Sequence, residues 1–86
     1  MAKMFRGKVD RLNPSRGNTY IRIQIPVAEQ PQNNEFILQQ SHQNYNALYS
    51  LALAAAINGY DLLIRTTEED VSPGQEAHVL YMLVDF

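Results

Sequence analysis

From Tyr45 to Ile57 the chain reads Tyr-Asn-Ala-Leu-Tyr-Ser-Leu-Ala-Leu-Ala-Ala-Ala-Ile, with no proline, glycine or charged side chain. This run predicts a helix, because Ala and Leu sacrifice little side-chain freedom there and nothing interrupts the hydrogen-bond ladder. Ser41 or Asn44 is placed to cap its start. Asn58-Gly59 would elsewhere suggest a hairpin turn. After a helical run, Gly59 better suits the left-handed residue just beyond the last turn. The segments on either side have the other periodicity, so the chain must build one helix into a set of strands.

Those strands are read from alternation. In Met4 to Leu12, Phe5, Gly7 and Val9 share one face and Arg6, Lys8 and Asp10 the other. Gly7 inside such a run predicts a bulge or tight bend. Asn13-Pro-Ser-Arg-Gly-Asn18 is dense in turn formers and leads back into Tyr20–Ile25, where Ile21, Ile23 and Ile25 face one way and Tyr20, Arg22 and Gln24 the other. Pro26 removes a donor and ends the ladder, and residues 27–34 read as an exposed loop. Phe36-Ile-Leu38 is a short third strand. Tyr60 to Thr66 is a fourth, centred on Leu62-Leu-Ile64. After an acidic loop and the turn signal Ser72-Pro-Gly74, Ala77 to Phe86 is a long fifth strand, partly buried on both faces.

Three strands, a helix and two strands form the order of the OB-fold, a five-stranded, partly open Greek-key barrel. The fold class is therefore all-β, a barrel with one helix, in the order β-β-β-α-β-β. A Sm-like barrel would place its helix first, an SH3-like barrel would lack this helix, and a ferredoxin-like fold needs two. Closure also suits a short chain with this many strands, because it removes exposed edges. The whole chain of 86 residues reads as one domain. At that size roughly 60–65% of the unfolded surface is buried. An additional stabiliser is expected, and with no cysteine it is neither a disulfide nor a thiolate zinc site. Oligomerisation is the remaining supplement.

The helix suggests where. At 100° per residue, Tyr45, Leu48, Tyr49, Ala52, Ala55 and Ala56 fall on the face expected over the barrel end. Asn46, Ala47, Ser50, Ala54 and Asn58 lie opposite, with Leu51 on one flank and Leu53 and Ile57 on the other. A solvated helix face normally carries Lys, Glu or Arg. None occurs between Glu35 and Asp61. The expected oligomer interface is therefore Ala47, Ser50, Leu51, Leu53, Ala54, Ile57 and Asn58, against another copy of the same chain. The alternative is an ordinary exposed helix made of a strong helix former.

The segment Tyr45–Gly59, followed by Asp61-Leu-Leu-Ile-Arg65, resembles the helix-plus-strand segment of the binding subunits of bacterial AB-type toxins. That resemblance covers the C-terminal half. It implies an OB-type subunit in a homo-oligomeric ring, often pentameric, with helices facing the pore and a glycan as possible ligand. The sequence has no cysteine pair and shows no visible leader, and no sugar-binding motif matches residue by residue.

The chemistry of sites points to binding rather than catalysis. His42 and His78 stand far apart without ligand-spaced partners and read as surface or barrel-rim residues. Ser41-His42 lacks the third orienting group of a nucleophilic triad. No GxSxG, phosphate loop or HExxH occurs. Glu68-Glu69-Asp70 lacks the glycine and alternating oxygen ligands of a calcium loop and reads as a solvated acidic loop. No catalytic residue, metal site or cofactor is expected. Six of the seven basic residues lie at or before Arg22, although the net charge is −2. This makes Arg6, Lys8, Tyr20, Arg22 and Gln24 a candidate ligand face, with Arg6 and Lys8 beside Tyr20 and Arg22 if strands one and two pair. Single-stranded nucleic acid would use it through cations and a stacking ring. Edge protection against aggregation explains the same cations. A structural subunit of a larger, phage-like particle is the third reading. The N-terminus has no apolar signal region, and Leu51–Ile57 is too short to span a bilayer. The expected location is the cytoplasm, with secretion after loss of a leader as the alternative.

Overall fold

The structure is a computed structural model that describes residues 4–26, 30–31, 35–68, 71 and 74–84. Five strands, β1 (Met4–Ser15), β2 (Asn18–Ile23), β3 (Phe36–Gln39), β4 (Asp61–Thr66) and β5 (Ala77–Leu83), form one sheet closed in the order β1-β2-β3-β5-β4. One helix, α1 (Tyr45–Asn58), joins β3 to β4.

Closure depends on β1 being long enough to pair twice. Met4 to Lys8 run antiparallel to β4, with Phe5 opposite Ile64 and Lys8 opposite Asp61. Val9 to Ser15 turn to β2, ending with Ser15 opposite Asn18. The bulge on this strand is at Asp10, where the register slips between Val9 and Arg11, and not at Gly7. Gly7 serves a different purpose. A Cβ placed there would lie 2.3 Å from the Gln24 carbonyl oxygen, so the missing side chain lets two backbones approach at the point where β1 changes partner. The strand also runs three residues past Leu12. Pro14 pairs with Thr19 in register, which is tolerated because this half of β1 has a strand on one side only. The reversal is reduced to Arg16-Gly17, with Gly17 at φ 84°.

β3 and β5 close the ring in parallel through only two pairs, Phe36 with Ala77 and Ile37 with His78. All three apolar residues of β3 are buried. β5 ends at Leu83 and is less buried than its composition suggests. Leu80 is the extra residue of a bulge against β4 and is exposed with Tyr81. Asp85 and Phe86 lie outside the described residues.

The core is built from alternate strand positions: Phe5, Ile21, Ile23, Phe36, Leu38, Leu62, Ile64, Val79 and Met82. The Phe5 and Phe36 rings meet at 5.1 Å with a tilt of 56°. From α1, Leu48, Ala52 and Ala55 complete it, which is the face the periodicity predicts. Asn44 occupies the N-cap position without a capping side-chain bond. Its backbone N–H instead donates to His42 Nδ1 at 3.0 Å. Gly59 takes the left-handed conformation (φ 70°), and the Tyr60 N–H wraps back to the Ala55 carbonyl at 3.0 Å. Both ends of α1 are also tied to the sheet. The buried Thr19 hydroxyl shares a 2.6 Å hydrogen bond with the Tyr45 hydroxyl, and Lys8 Nζ donates to the Gly59 carbonyl at 2.9 Å. A cation at a helix C-terminus also complements the negative end of the peptide dipoles.

Candidate functional site

The outer face of α1 is where the charge pattern places it. Ala47, Ser50, Ala54 and Asn58 are exposed, Leu53 is 40% exposed and Ile57 is 75% exposed. Leu51 differs. It is half-buried and packs on the protein's own core, so it is only partly available to another chain. Between α1 and the sheet lies a depression of about 250 Å³ walled by Leu51, Ala54, Ala55, Asn58, Tyr60 and Val84. Its walls are mostly aliphatic, and the Asn58 amide donates to the Ala54 carbonyl at 2.8 Å.

The five residues expected to form one ligand face are divided by the double pairing of β1. Arg6 and Lys8 lie over β4, opposite Leu63 and Asp61, not beside Tyr20 and Arg22. Arg6 Nε donates to Asp61 at 3.2 Å, and Lys8 stands 3.5 Å from the same carboxylate. The Arg6 hydrogen bond, supported by the Lys8 charge, holds Asp61 below the ordinary carboxylate range. Tyr20 instead sits opposite Asn13 and Ile37, and Arg22 opposite Arg11. The bulge turns Asp10 toward Arg22, whose Nε donates to it at 2.7 Å. Arg22 and Gln24 do share a shallow depression of about 530 Å³ with Asp10, Ile25, Pro26 and Gln30. The structure therefore brings together Arg22 with Gln24 and Arg6 with Lys8, and the two pairs meet where the Gln24 N–H donates to the Lys8 carbonyl at 2.9 Å, while Arg6 stays apart from Tyr20 and Arg22.

A third depression shares only Ala47 with the residues the sequence singled out as an interface or ligand face. Gln40, Gln43, Asn44 and Asn46, with His42 and Tyr45, line an open hollow of about 460 Å³ at the start of α1. His42 shapes it. Accepting the Asn44 N–H at Nδ1 leaves Nε2 to donate, and it meets the Leu80 carbonyl at 2.8 Å. The ring thus holds the bulged residue of β5 and the approach to the helix at once. The signal was present as the amide-rich run Gln39 to Asn46, but only the fold turns those amides toward one space.

His78 is also committed. Its backbone N–H and Nδ1 both reach the Glu68 carboxylate, at 2.9 and 2.7 Å. Burial opposes ionisation of Glu68, but the two His78 donors outweigh it and leave the carboxyl below its ordinary value. Glu68 is therefore a structural clamp between the end of β4 and the start of β5. Glu69 and Asp70 lie outside the described residues. Among the described residues no three His, Asp or Glu side chains cluster as metal ligands, and no helix is long and apolar enough to cross a membrane.

No known family model matches the chain, and neither a curated protein nor a solved structure shows significant similarity to it.

Proposed function

We propose that the chain is a non-catalytic binding subunit on an OB-type barrel, and that it works as a homo-oligomer with the outer face of α1 covered by another copy. The OB assignment is supported by the closed order β1-β2-β3-β5-β4, the sharing of β1 between β2 and β4, the parallel β3–β5 pair and the helix between β3 and β4. The observation that carries the assembly is Ile57. It stands 75% exposed on a helix that carries no Asp, Glu, Lys or Arg of its own. Burying such a side chain yields about 1.5–3 kcal/mol.

The carboxamide hollow from Gln40 to Asn46 is the better candidate for a ligand. Neutral planar amides beside an aromatic ring suit a hydroxyl-rich, uncharged molecule such as a glycan, because they both donate and accept. Single-stranded nucleic acid has less support, since Arg6, Lys8 and Arg22 already have carboxylate partners. Light scattering at micromolar concentration tests the assembly: a mass of several subunits is expected, and a stable monomer overturns it. A glycan-array screen tests the ligand class. Retention that falls with Gln43→Ala supports it, whereas salt-sensitive oligonucleotide binding lost in Arg22→Ala would replace it with the nucleic-acid reading.

A further inference from the structure

We infer that Asn58-Gly59 is a latent deamidation site: the closed end of α1 holds the reaction off, and the reaction, once it has occurred, loosens that end irreversibly. This modification does not depend on the assembly reading. Of the seven asparagines in the sequence, only Asn58 precedes a glycine. Glycine has no Cβ, so its nitrogen approaches the preceding side chain with the least hindrance. Both residues are exposed, and the space where a Gly59 Cβ would stand is open, so a ring has room to form there.

The reaction needs only water. The Gly59 nitrogen gives up its proton and bonds to Asn58 Cγ, and ammonia leaves carrying that proton, which forms a cyclic imide. Water then opens the ring. Cleavage at Cγ gives aspartate, and cleavage at the main-chain carbonyl gives isoaspartate, whose backbone runs through the former side chain. The folded chain opposes the first bond at each atom involved. The Gly59 N–H is committed to the Ala55 carbonyl, and the Asn58 amide to the Ala54 carbonyl at 2.8 Å. The Gly59 carbonyl accepts from Lys8 Nζ at 2.9 Å. Attack therefore requires this end of α1 to open, and its rate follows the opened fraction. Lys8 is the latch, because it ties the cap to β1. The product cannot restore the closed end. An ionised aspartate accepts hydrogen bonds only, so the donor to Ala54 is replaced by a carboxylate beside a carbonyl. Its charge also falls at the negative end of the peptide dipoles.

The chain is incubated in mildly alkaline buffer, folded and in concentrated urea, at low and high protein concentration. The Asn58 peptide is followed by mass and by chromatographic separation of its aspartyl and isoaspartyl forms. Conversion in urea and a folded rate at least about tenfold slower are expected. No conversion in urea, or equal rates in both conditions, would overturn the inference. Slowing confined to the high concentration would assign the protection to a neighbouring copy and overturn the latch. Lys8→Met keeps the aliphatic stem and removes the donor. It should raise the folded rate about fivefold and leave the urea rate as it was. An unchanged folded rate would remove Lys8 from the latch. Asn58→Asp reproduces one product, and hydrogen exchange at the Tyr60 amide, which bonds to the Ala55 carbonyl at 3.0 Å, should quicken about fivefold. Unchanged exchange would overturn the loosening.

Discussion

On the outside of the sheet, Arg6 and Lys8 close on Asp61 and Arg22 closes on Asp10, while the outside of α1 carries no ionic group from Tyr45 to Asn58. Both surfaces are exposed, yet they meet water in different ways. On the sheet exterior these three cations find carboxylates within the chain, although Leu80 and Tyr81 are also exposed there. The helix exterior leaves Ile57 and Leu53 uncovered beside an aliphatic depression. Exposed ion pairs contribute little to stability, a median near 0–1 kcal/mol. An uncovered aliphatic side chain is a larger unrealised gain. The contrast locates self-containment on the sheet and incompleteness on the helix.

The largest effect expected lies where the sheet closes on itself. Gly7→Ala sets a Cβ against the Gln24 backbone, and urea unfolding should show a loss of about 3 kcal/mol or more. If stability were unchanged, the close approach of β1 and β2 would not be what fixes the barrel. Next comes Ile57→Asp, which separates the two surfaces. The unfolding free energy of the isolated chain should stay within about 0.5 kcal/mol of the parent, as for surface changes generally, while the assembly dissociates. A large loss of monomer stability would mean that the helix face serves the fold instead.

Glu68→Gln should cost about 1 kcal/mol by removing the charge from the double contact with His78. It also has a pH signature. The folded carboxyl ionises below its ordinary value of 4.5, so its contribution is complete above that value and disappears as pH falls through the lower folded one. Asp61 acts in the same direction from 3.8 downward. Acid unfolding followed by fluorescence should begin below about pH 4.5, and Glu68→Gln should flatten that limb; equal slopes would exclude the clamp. The smallest effect is expected from Arg22→Ala, within about 0.5 kcal/mol, with high salt reducing the difference further.

The positions of the elements were legible because period two and period 3.6 are local. Ile21 and Ile23 turned inward, Leu48, Ala52 and Ala55 faced the barrel and Gly59 ended the helix, each as spacing required. What eluded spacing was partnership. Nothing local shows that β1 leaves β4 for β2 after Lys8, so Arg6 and Lys8 were grouped with Tyr20 and Arg22 across a boundary the sequence does not mark. The same cause moved the bulge from Gly7 to Asp10, since a bulge is defined by the opposing strand. The exposed, charge-free outer face of α1 was legible because a missing charge is a property of composition. The hollow at Gln40 to Asn46 was not, because a concavity exists only once His42 has bent the segment onto β5.

The two ties that fasten α1 to the sheet, Thr19 to Tyr45 at its first turn and Lys8 to Gly59 just past its last, have a kinetic consequence. A helix anchored at both ends does not need to be ordered when something docks on it, so little conformational entropy remains to be lost in the encounter. Docking then resembles rigid bodies finding their orientation, with rates near 10⁵–10⁶ M⁻¹s⁻¹ in the absence of electrostatic steering. A surface with no charge has no long-range field to accelerate that search, and its association rate should therefore be nearly indifferent to salt.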